Sequence, residues 1–214
     1  MIKLYTWATP NGNKLHIMLE ECGLDYEVVP VRLAQREQHK PEYLQINPNG
    51  KIPAMVDTDG PAGRPFTLFE SGAMLIYLAE KTGRFLPADP EGRYLAIQWV
   101  MFQMGNTGPM IGQLHHFKSS APEQLDYPIR RYEDESRRLL GVLETRLAES
   151  PWLAGPEYSI ADICNWCWCR SWIYTLGYTL DDYPHVKRWF ELIATRDGVQ
   201  RGMALYEQLR ASVS

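Results

Sequence analysis

The stretches Lys51-Ile52-Pro53-Ala54 and Phe69-Glu70-Ser71-Gly72 decide how this chain folds and what it can hold. Proline cannot donate to a sheet ladder, so Pro53 predicts a bend before a strand, and a cis bond there would turn the backbone of Ile52 outward. Glu70 and Ser71 stand where a strand gives way to a helix, whose free amide groups and positive dipole end favour an anion. Main-chain pairing, carboxylate capture and a nearby acid together suit a small peptide that carries both carboxylate and ammonium groups.

The first part of the chain alternates between strand and helix patterns. The predicted elements are a strand at 2–6, a helix ending at Gly23, a strand at 26–31, a short helix from Pro41, strands at 54–57 and 66–69, and a helix capped by Ser71 that ends at Gly83. The order β-α-β-(α)-β-β-α predicts a small mixed sheet carrying helices over residues 1–82.

The rest of the chain shows no convincing strand pattern. Residues 83–92 contain two prolines and two glycines and are the natural linker, which leaves 93–214 as an all-helical domain. Helical periodicity is clearest at 94–102, 129–147, 160–174 and 186–193. Ser159 and Asp162 predict a capping box at the start of the third of these helices.

Composition narrows the class of protein. A formal net charge of −4 and a pI near 5.8 argue against nucleic acid as a partner. No apolar run approaches the length of a membrane span, and the N-terminus has no basic leader. The four cysteines are too few and too clustered for a disulfide framework. We therefore expect a soluble, cytoplasmic protein.

The motifs in their order resemble those of the cytosolic glutathione transferases. The resemblance covers essentially the whole chain and implies a thioredoxin-like domain followed by an all-helical domain. Within the family, the stretches at 9–14, 47–53 and 108–117 look most like the bacterial nu class. That class is known for glutathione-dependent disulfide-bond reductase activity, with modest transferase activity. The resemblance further implies glutathione as co-substrate, no metal, and a homodimer with its active site near the interface.

The resemblance also assigns residues to the parts of glutathione. Glu70 and Ser71 would hold the γ-glutamyl end, and Ile52 would pair its backbone with the cysteinyl moiety, with Pro53 shaping the bend. Gln38 is expected at the glycyl end, with Lys51 beside it, and Arg131 is the contact expected from the helical domain. The rival interpretations are a solvated polar loop for Gln38 and a solvated helix face for Arg131.

The thiol site departs from that of the better-known family members, which place a Tyr, Ser or Cys beside the sulfur. Here Thr9 occupies the position of the serine in the serine-type classes, and Asn11 follows two residues later. Their side chains or backbone N–H groups could donate to a thiolate, so both are the catalytic candidates. The competing interpretation is that they are only turn and cap residues. Tyr5 fits better as packed core.

Three functions follow from this sequence. The first is a disulfide reductase in which two glutathiones act in turn and no protein cysteine is needed. The alternatives are a conventional transferase that adds glutathione to an electrophile, and a non-catalytic protein that binds glutathione or a hydrophobic ligand. Cys164 and Cys167 have redox or metal spacing but are expected to pack in the core. His115 and His116 lack further metal ligands.

Overall fold

A four-stranded mixed sheet organises the first 83 residues. The computed structural model describes residues 1–212 of the 214-residue chain. The strands are β1 (Ile2–Thr6), β2 (Tyr26–Pro30), β3 (Ala54–Asp57) and β4 (Phe66–Phe69), in the order β2-β1-β3-β4. β1 runs parallel to β2 and antiparallel to β3, which is antiparallel to β4.

The register brings three chain segments to one edge of the sheet. Tyr5 pairs with Ala54, and Ala54 pairs with Phe69. β1 and β4 both run antiparallel to β3. The end of β1, the start of β3 and the end of β4 therefore lie at the same end of the strands. The turns carrying the two stretches quoted at the outset therefore lie beside the turn that follows β1.

Helices complete this part of the fold. They are α1 (Pro10–Cys22), the single turn α2 (Pro41–Leu44) and α3 (Ser71–Thr82), with short 3₁₀ turns at Leu33–Gln35, Glu37–His39 and Pro61–Gly63. α1 and α3 pack against each other. Their buried apolar side chains, together with those of the sheet, include Leu4, Leu15, Met18, Met55, Met74, Leu75 and Leu78. This thioredoxin-like βαβ-ββα arrangement confirms the fold predicted for residues 1–82.

The last helix, α9 (Asp197–Ala211), also belongs to this unit. By its contacts the chain divides into one unit made of Met1–Gly83 and the segment from Arg196 onward, and a second unit, Arg84–Thr195. α9 packs on α1, where Gly202 approaches the backbone of Ile17. Arg196 and Glu21 add a two-pronged ion pair at 2.5 and 3.0 Å. The domain ranges 1–82, 83–92 and 93–214 thus stay predictions, and sequence periodicity gave no hint that this helix returns to α1.

The second unit is helical. Its helices are α4 (Pro90–Phe102), α5 (Gly108–Ser119), α6 (Asp126–Glu149), α7 (Ile160–Tyr174) and α8 (Pro184–Ala194). α4 begins inside the predicted linker, because Asp89 accepts a hydrogen bond from the Gly92 N–H at 2.8 Å and caps the helix. The predicted box of Ser159 and Asp162 is present at the start of α7. An all-helical C-terminal part is confirmed.

The sequence did not predict α5. A π-helical segment, Gln103–Thr107, joins it to α4, so the hydrophobic period breaks where the helix continues. The Asn165 amide donates to the Trp99 carbonyl at 3.1 Å and thereby ties α7 to the end of α4. Within residues 1–212, no helix is both long and apolar enough to cross a membrane.

Candidate glutathione site

The turn between β1 and α1 presents hydrogen-bond donors at a helix start. Thr9 has extended backbone angles and caps α1 by accepting the Gly12 N–H on its hydroxyl oxygen at 3.1 Å. A threonine hydroxyl that accepts one bond keeps its own proton for a second partner. Gly12 has to be glycine, since a Cβ there would collide with the Trp7 carbonyl oxygen. Asn11 lies half-buried on the first turn of α1.

The Ile52-Pro53 peptide bond is cis. The carbonyl oxygen of Lys51, one residue earlier, accepts the Tyr43 hydroxyl at 2.5 Å and the Asn47 amide at 2.7 Å. Among residues 1–212, no backbone hydrogen bond engages Ile52. The backbone is therefore held in place at Lys51, while the N–H and C=O of Ile52 are available to a ligand.

An apolar cluster packs against the backbone segment around Ile52. Val31, Tyr43 and Ala54 form a buried apolar cluster, and Tyr5 and Ile52 pack against it. Burial raises the pKa of Tyr43 to about 12, so its hydroxyl stays a donor at neutral pH. The side chain of Lys51 points to solvent, since the residue is exposed.

The β4–α3 junction corrects one detail of the sequence analysis. Ser71 is not the cap of α3 but its first residue, and Glu70 is the residue before it. Glu70 has φ 71° and ψ 108°, a conformation that non-glycine residues rarely adopt, and its side chain makes no capping bond. The Ser71 hydroxyl accepts instead from the ammonium group of Lys14 at 3.1 Å. Rare backbone angles in non-glycine residues concentrate at functional sites.

Lys14 is the residue that sequence reasoning missed here. Its side chain is completely buried, with 0% of its surface exposed, although lysine is among the residues least often found inside proteins. The sequence did contain a signal, because Lys14 follows Asn11 by three residues and so lies on the same face of α1.

Gln38 lies in the 3₁₀ turn Glu37–His39, which precedes α2. Its side-chain oxygen is buried and has no hydrogen-bond partner among the residues that the structure describes. An acceptor left in this state costs free energy unless a donor reaches it. Gly50, with φ 62°, lies close by: a Cβ on it would be 3.3 Å from the Gln38 carbonyl oxygen.

Arg131 belongs to α6 in the second unit. It lines a cavity of about 760 Å³ whose other lining residues are Met110, Tyr127, Arg130, Tyr132, Asp134, Glu135 and Arg138. Arg131 is exposed, whereas the neighbouring Arg138 is paired with Glu135 at 2.7 Å. The first unit thus gathers Thr9, Ile52 and Ser71 at one sheet edge, and Arg131 stands in the other unit.

No cysteine lies in the β1–α1 turn. Cys22 is at the far end of α1, where its sulfur contacts the Thr82 hydroxyl at 3.5 Å. Cys164, Cys167 and Cys169 are buried in α7, and none of the four cysteines forms a disulfide within residues 1–212. Burial raises the pKa of Cys169 to about 12, which keeps it protonated and unreactive. Across the described part of the chain, no group of three or more potential ligands has the arrangement of a metal site.

Comparison with known proteins identifies the family. Residues 1–80 match the profile "Glutathione S-transferase, N-terminal domain", and residues 110–197 match "Glutathione S-transferase, C-terminal domain". The chain belongs to the glutathione S-transferase family. The family resemblance inferred from the sequence is confirmed.

Relatives within the glutathione S-transferase family cover nearly the whole chain. The disulfide-bond oxidoreductase YfcG of Escherichia coli is 49% identical, over 92% of this chain and 91% of its own. A Burkholderia graminis glutathione transferase, solved with two glutathione molecules per subunit, is 50% identical with a TM-score of 0.91, covering 94% of this chain and 86% of its own. A Pseudomonas putida glutathione transferase, solved with one glutathione disulfide per subunit, is 44% identical with a TM-score of 0.91, covering 94% and 90%.

Proposed function

We propose that this protein is a glutathione-dependent disulfide-bond reductase of the nu type, in which bound glutathione is the thiol nucleophile. The observation that carries the proposal is the β1–α1 turn, which places the Thr9 hydroxyl and Asn11 at the start of α1 but contains no sulfur. The reacting sulfur has to come with the co-substrate. The relatives support this choice, since one is a disulfide-bond oxidoreductase and others hold two glutathiones or glutathione disulfide.

The reaction divides into two thiol–disulfide exchanges. The thiolate of one glutathione attacks the disulfide, forming a mixed disulfide and releasing the other half as a thiolate that takes a proton from water. A second glutathione thiolate then attacks the glutathione sulfur of the mixed disulfide. Glutathione disulfide and the second substrate thiol leave, so two glutathiones are oxidised for each disulfide reduced.

The protein's contribution is to stabilise the thiolate and hold the peptide. An unperturbed thiol titrates near about 8.5, so most glutathione is protonated at neutral pH. Donors from Thr9 and Asn11 at the helix start favour the thiolate. One preorganised donor is commonly worth about 3 kcal/mol in a transition state.

Binding roles are proposed for the remaining site residues. Ile52 pairs its backbone with the cysteinyl moiety, beside Pro53. The γ-glutamyl group is held by Glu70 and Ser71. Gln38 and Lys51 contact the glycyl end. Arg131 contacts the second glutathione. The unpartnered oxygen of Gln38 supports its assignment, because a peptide N–H of the ligand would satisfy it.

The test is steady-state reduction of hydroxyethyl disulfide by glutathione, with glutathione reductase consuming the oxidised product. We expect turnover to saturate in glutathione and to persist in Cys22→Ser. Conjugation of an aryl halide, measured in parallel, should be weak. Strong conjugation without disulfide reduction would identify a conventional transferase instead, and glutathione binding without either activity would identify a binding protein.

We also infer a homodimer in the reducing cytoplasm. Tyr94 and Met101 are 71% and 51% exposed and lie two turns apart on one face of α4. Large exposed apolar side chains that line up along one helix support an interface there. Cysteines that form no disulfide fit a reducing compartment. Sedimentation equilibrium tests the dimer: the wild type should have twice the chain mass and Met101→Asp the chain mass, and a monomeric wild type would contradict the inference.

A further inference from the structure

A buried cation stands behind the N-terminus of α3. The Lys14 side chain is completely enclosed, and its ammonium group lies 3.1 Å from the Ser71 hydroxyl oxygen. These two residues are 57 positions apart in sequence, so the bond joins α1 to the first residue of α3. An ammonium group only donates, so the serine oxygen acts as the acceptor in this bond.

This arrangement concentrates positive potential at one point. The first turn of α3 already carries the positive end of the helix dipole. Lys14 adds a full positive charge that is hydrogen-bonded to the Ser71 hydroxyl of that turn. In the protein interior, charges interact more strongly than in water. A ligand carboxylate at this helix end would be attracted both by the helix dipole and by the Lys14 charge.

We propose that Lys14 is the positioning residue that gives the start of α3 its preference for the α-carboxylate of the γ-glutamyl group. It acts through Ser71 and through its charge, without touching the reacting sulfur. The inference rests on the proposed function, because that function places the γ-glutamyl group at Glu70 and Ser71. It explains why a lysine rather than an apolar residue occupies a fully enclosed position on α1.

The experiment compares three ligands by calorimetry on the full chain. They are glutathione, an analogue whose γ-glutamyl α-carboxylate is a carboxamide, and an analogue whose glycyl carboxylate is a carboxamide. The wild type should bind the first analogue at least about tenfold more weakly than glutathione. In Lys14→Met the glutathione Kd should rise about tenfold and this ratio should shrink to about twofold, while the ratio for the glycyl analogue stays unchanged.

Two outcomes with a folded Lys14→Met would overturn the inference. One is an unchanged ratio for the γ-glutamyl analogue. The other is an equal fall in both ratios, which is what a merely loosened site would give. Lys3→Met is the matched control, since Lys3 is a partly exposed lysine on β1 of the same unit, and it should bind all three ligands as the wild type does.

A second variant keeps the test decisive if Lys14→Met does not fold. Ser71→Ala removes the hydroxyl but leaves the buried charge, so it should still prefer glutathione over the γ-glutamyl carboxamide by several-fold. Complete loss of that preference would assign carboxylate recognition to the hydroxyl alone and overturn the role of Lys14. Failure of the wild type to bind glutathione would instead defeat the proposed function, so the two failures are distinguishable.

Discussion

The Thr9 hydroxyl oxygen accepts the backbone N–H of Gly12 at 3.1 Å, which makes Thr9 the cap of α1. This bond fixes the position of the hydroxyl without consuming its proton. Capping and thiolate stabilisation, treated as competing interpretations of the sequence, are therefore compatible. The same hydroxyl can cap the N-terminus of α1 with its oxygen and direct its proton toward a sulfur beside that N-terminus.

Thr9→Ala separates these two roles. We expect it to lower the free energy of unfolding by about 1 kcal/mol through loss of the cap. It should also lower kcat/KM for disulfide reduction by about 100- to 1,000-fold through loss of the donor. Thr9→Ser keeps both functions and is the control. Denaturant unfolding and the coupled reductase assay measure the two effects, and normal turnover in Thr9→Ala would remove Thr9 from the catalytic set.

Tyr43→Phe tests whether the held carbonyl of Lys51 positions Ile52. The change removes the 2.5 Å bond from the hydroxyl to that carbonyl and should cost about 1 kcal/mol of stability. It should also raise the glutathione Kd several-fold, because the Asn47 amide alone then holds the segment. Calorimetric titration with glutathione measures the affinity.

Tyr26→Phe is the matched control for that prediction. It removes a tyrosine hydroxyl bond of 2.8 Å to Glu20 in the same unit, away from the cis proline. Stability should fall by a similar amount while glutathione affinity stays the same. Equal affinity losses in the two variants would mean that Tyr43 acts only through global stability.

The sequence predicted the frame of the site because strong local signals mark it. Proline at position 53, glycine at 23 and 83, and strand-like alternation between them leave few possible arrangements. The capping box at Ser159 is equally local and was correctly predicted. Signals of this kind depend on residues close together in the chain, which is why they can be found without a structure.

Long-range pairings could not be found in the same way. The bond between Lys14 and Ser71 spans 57 residues, and the approach of Gly202 to Ile17 spans most of the chain. Ser71 has the residue type of a cap, yet Glu70 is the cap, so the helix starts one residue earlier than expected. Tertiary contacts decide such positions, and they leave only weak traces in composition or periodicity.

A glycine in the interior of α9 tests how this helix packs on α1. A Cβ at Gly202 would lie 2.8 Å from the Ile17 nitrogen and 2.9 Å from its Cα, and backbone atoms cannot move aside. Gly202→Ala should therefore cost about 1 to 3 kcal/mol of stability despite the better helix propensity of alanine. Gly141→Ala in α6 is the control, since no atom lies within 4 Å of a Cβ there.

The control should change stability in the opposite direction. Replacing a helical glycine by alanine where space is open gains about 0.5 to 1 kcal/mol. Chemical denaturation of both variants measures the difference. Stabilisation by Gly202→Ala would show that α9 does not rest on Ile17.

The buried imidazole of His16 predicts a pH dependence of stability. Burial lowers the pKa of His16 from its usual 6.5 to about 4, and its Nε2 pairs with the Thr6 hydroxyl at 3.0 Å. Because folding lowers the pKa, the unfolded chain takes up the proton first. The contribution of His16 is therefore complete above pH 6.5 and is lost as the pH falls toward 4, by roughly 3 kcal/mol in all.

Other groups titrate in the same range, so a variant has to isolate this effect. Burial raises the pKa of Asp162 to about 6, which gives the opposite slope between its ordinary value of 3.8 and 6. His16→Gln removes only the histidine contribution, and its free energy of unfolding should fall less steeply than that of the wild type between pH 6.5 and 4. His39→Gln, at an exposed position, should follow the wild-type curve. Parallel curves for the wild type and His16→Gln would mean that His16 is protonated in the folded protein.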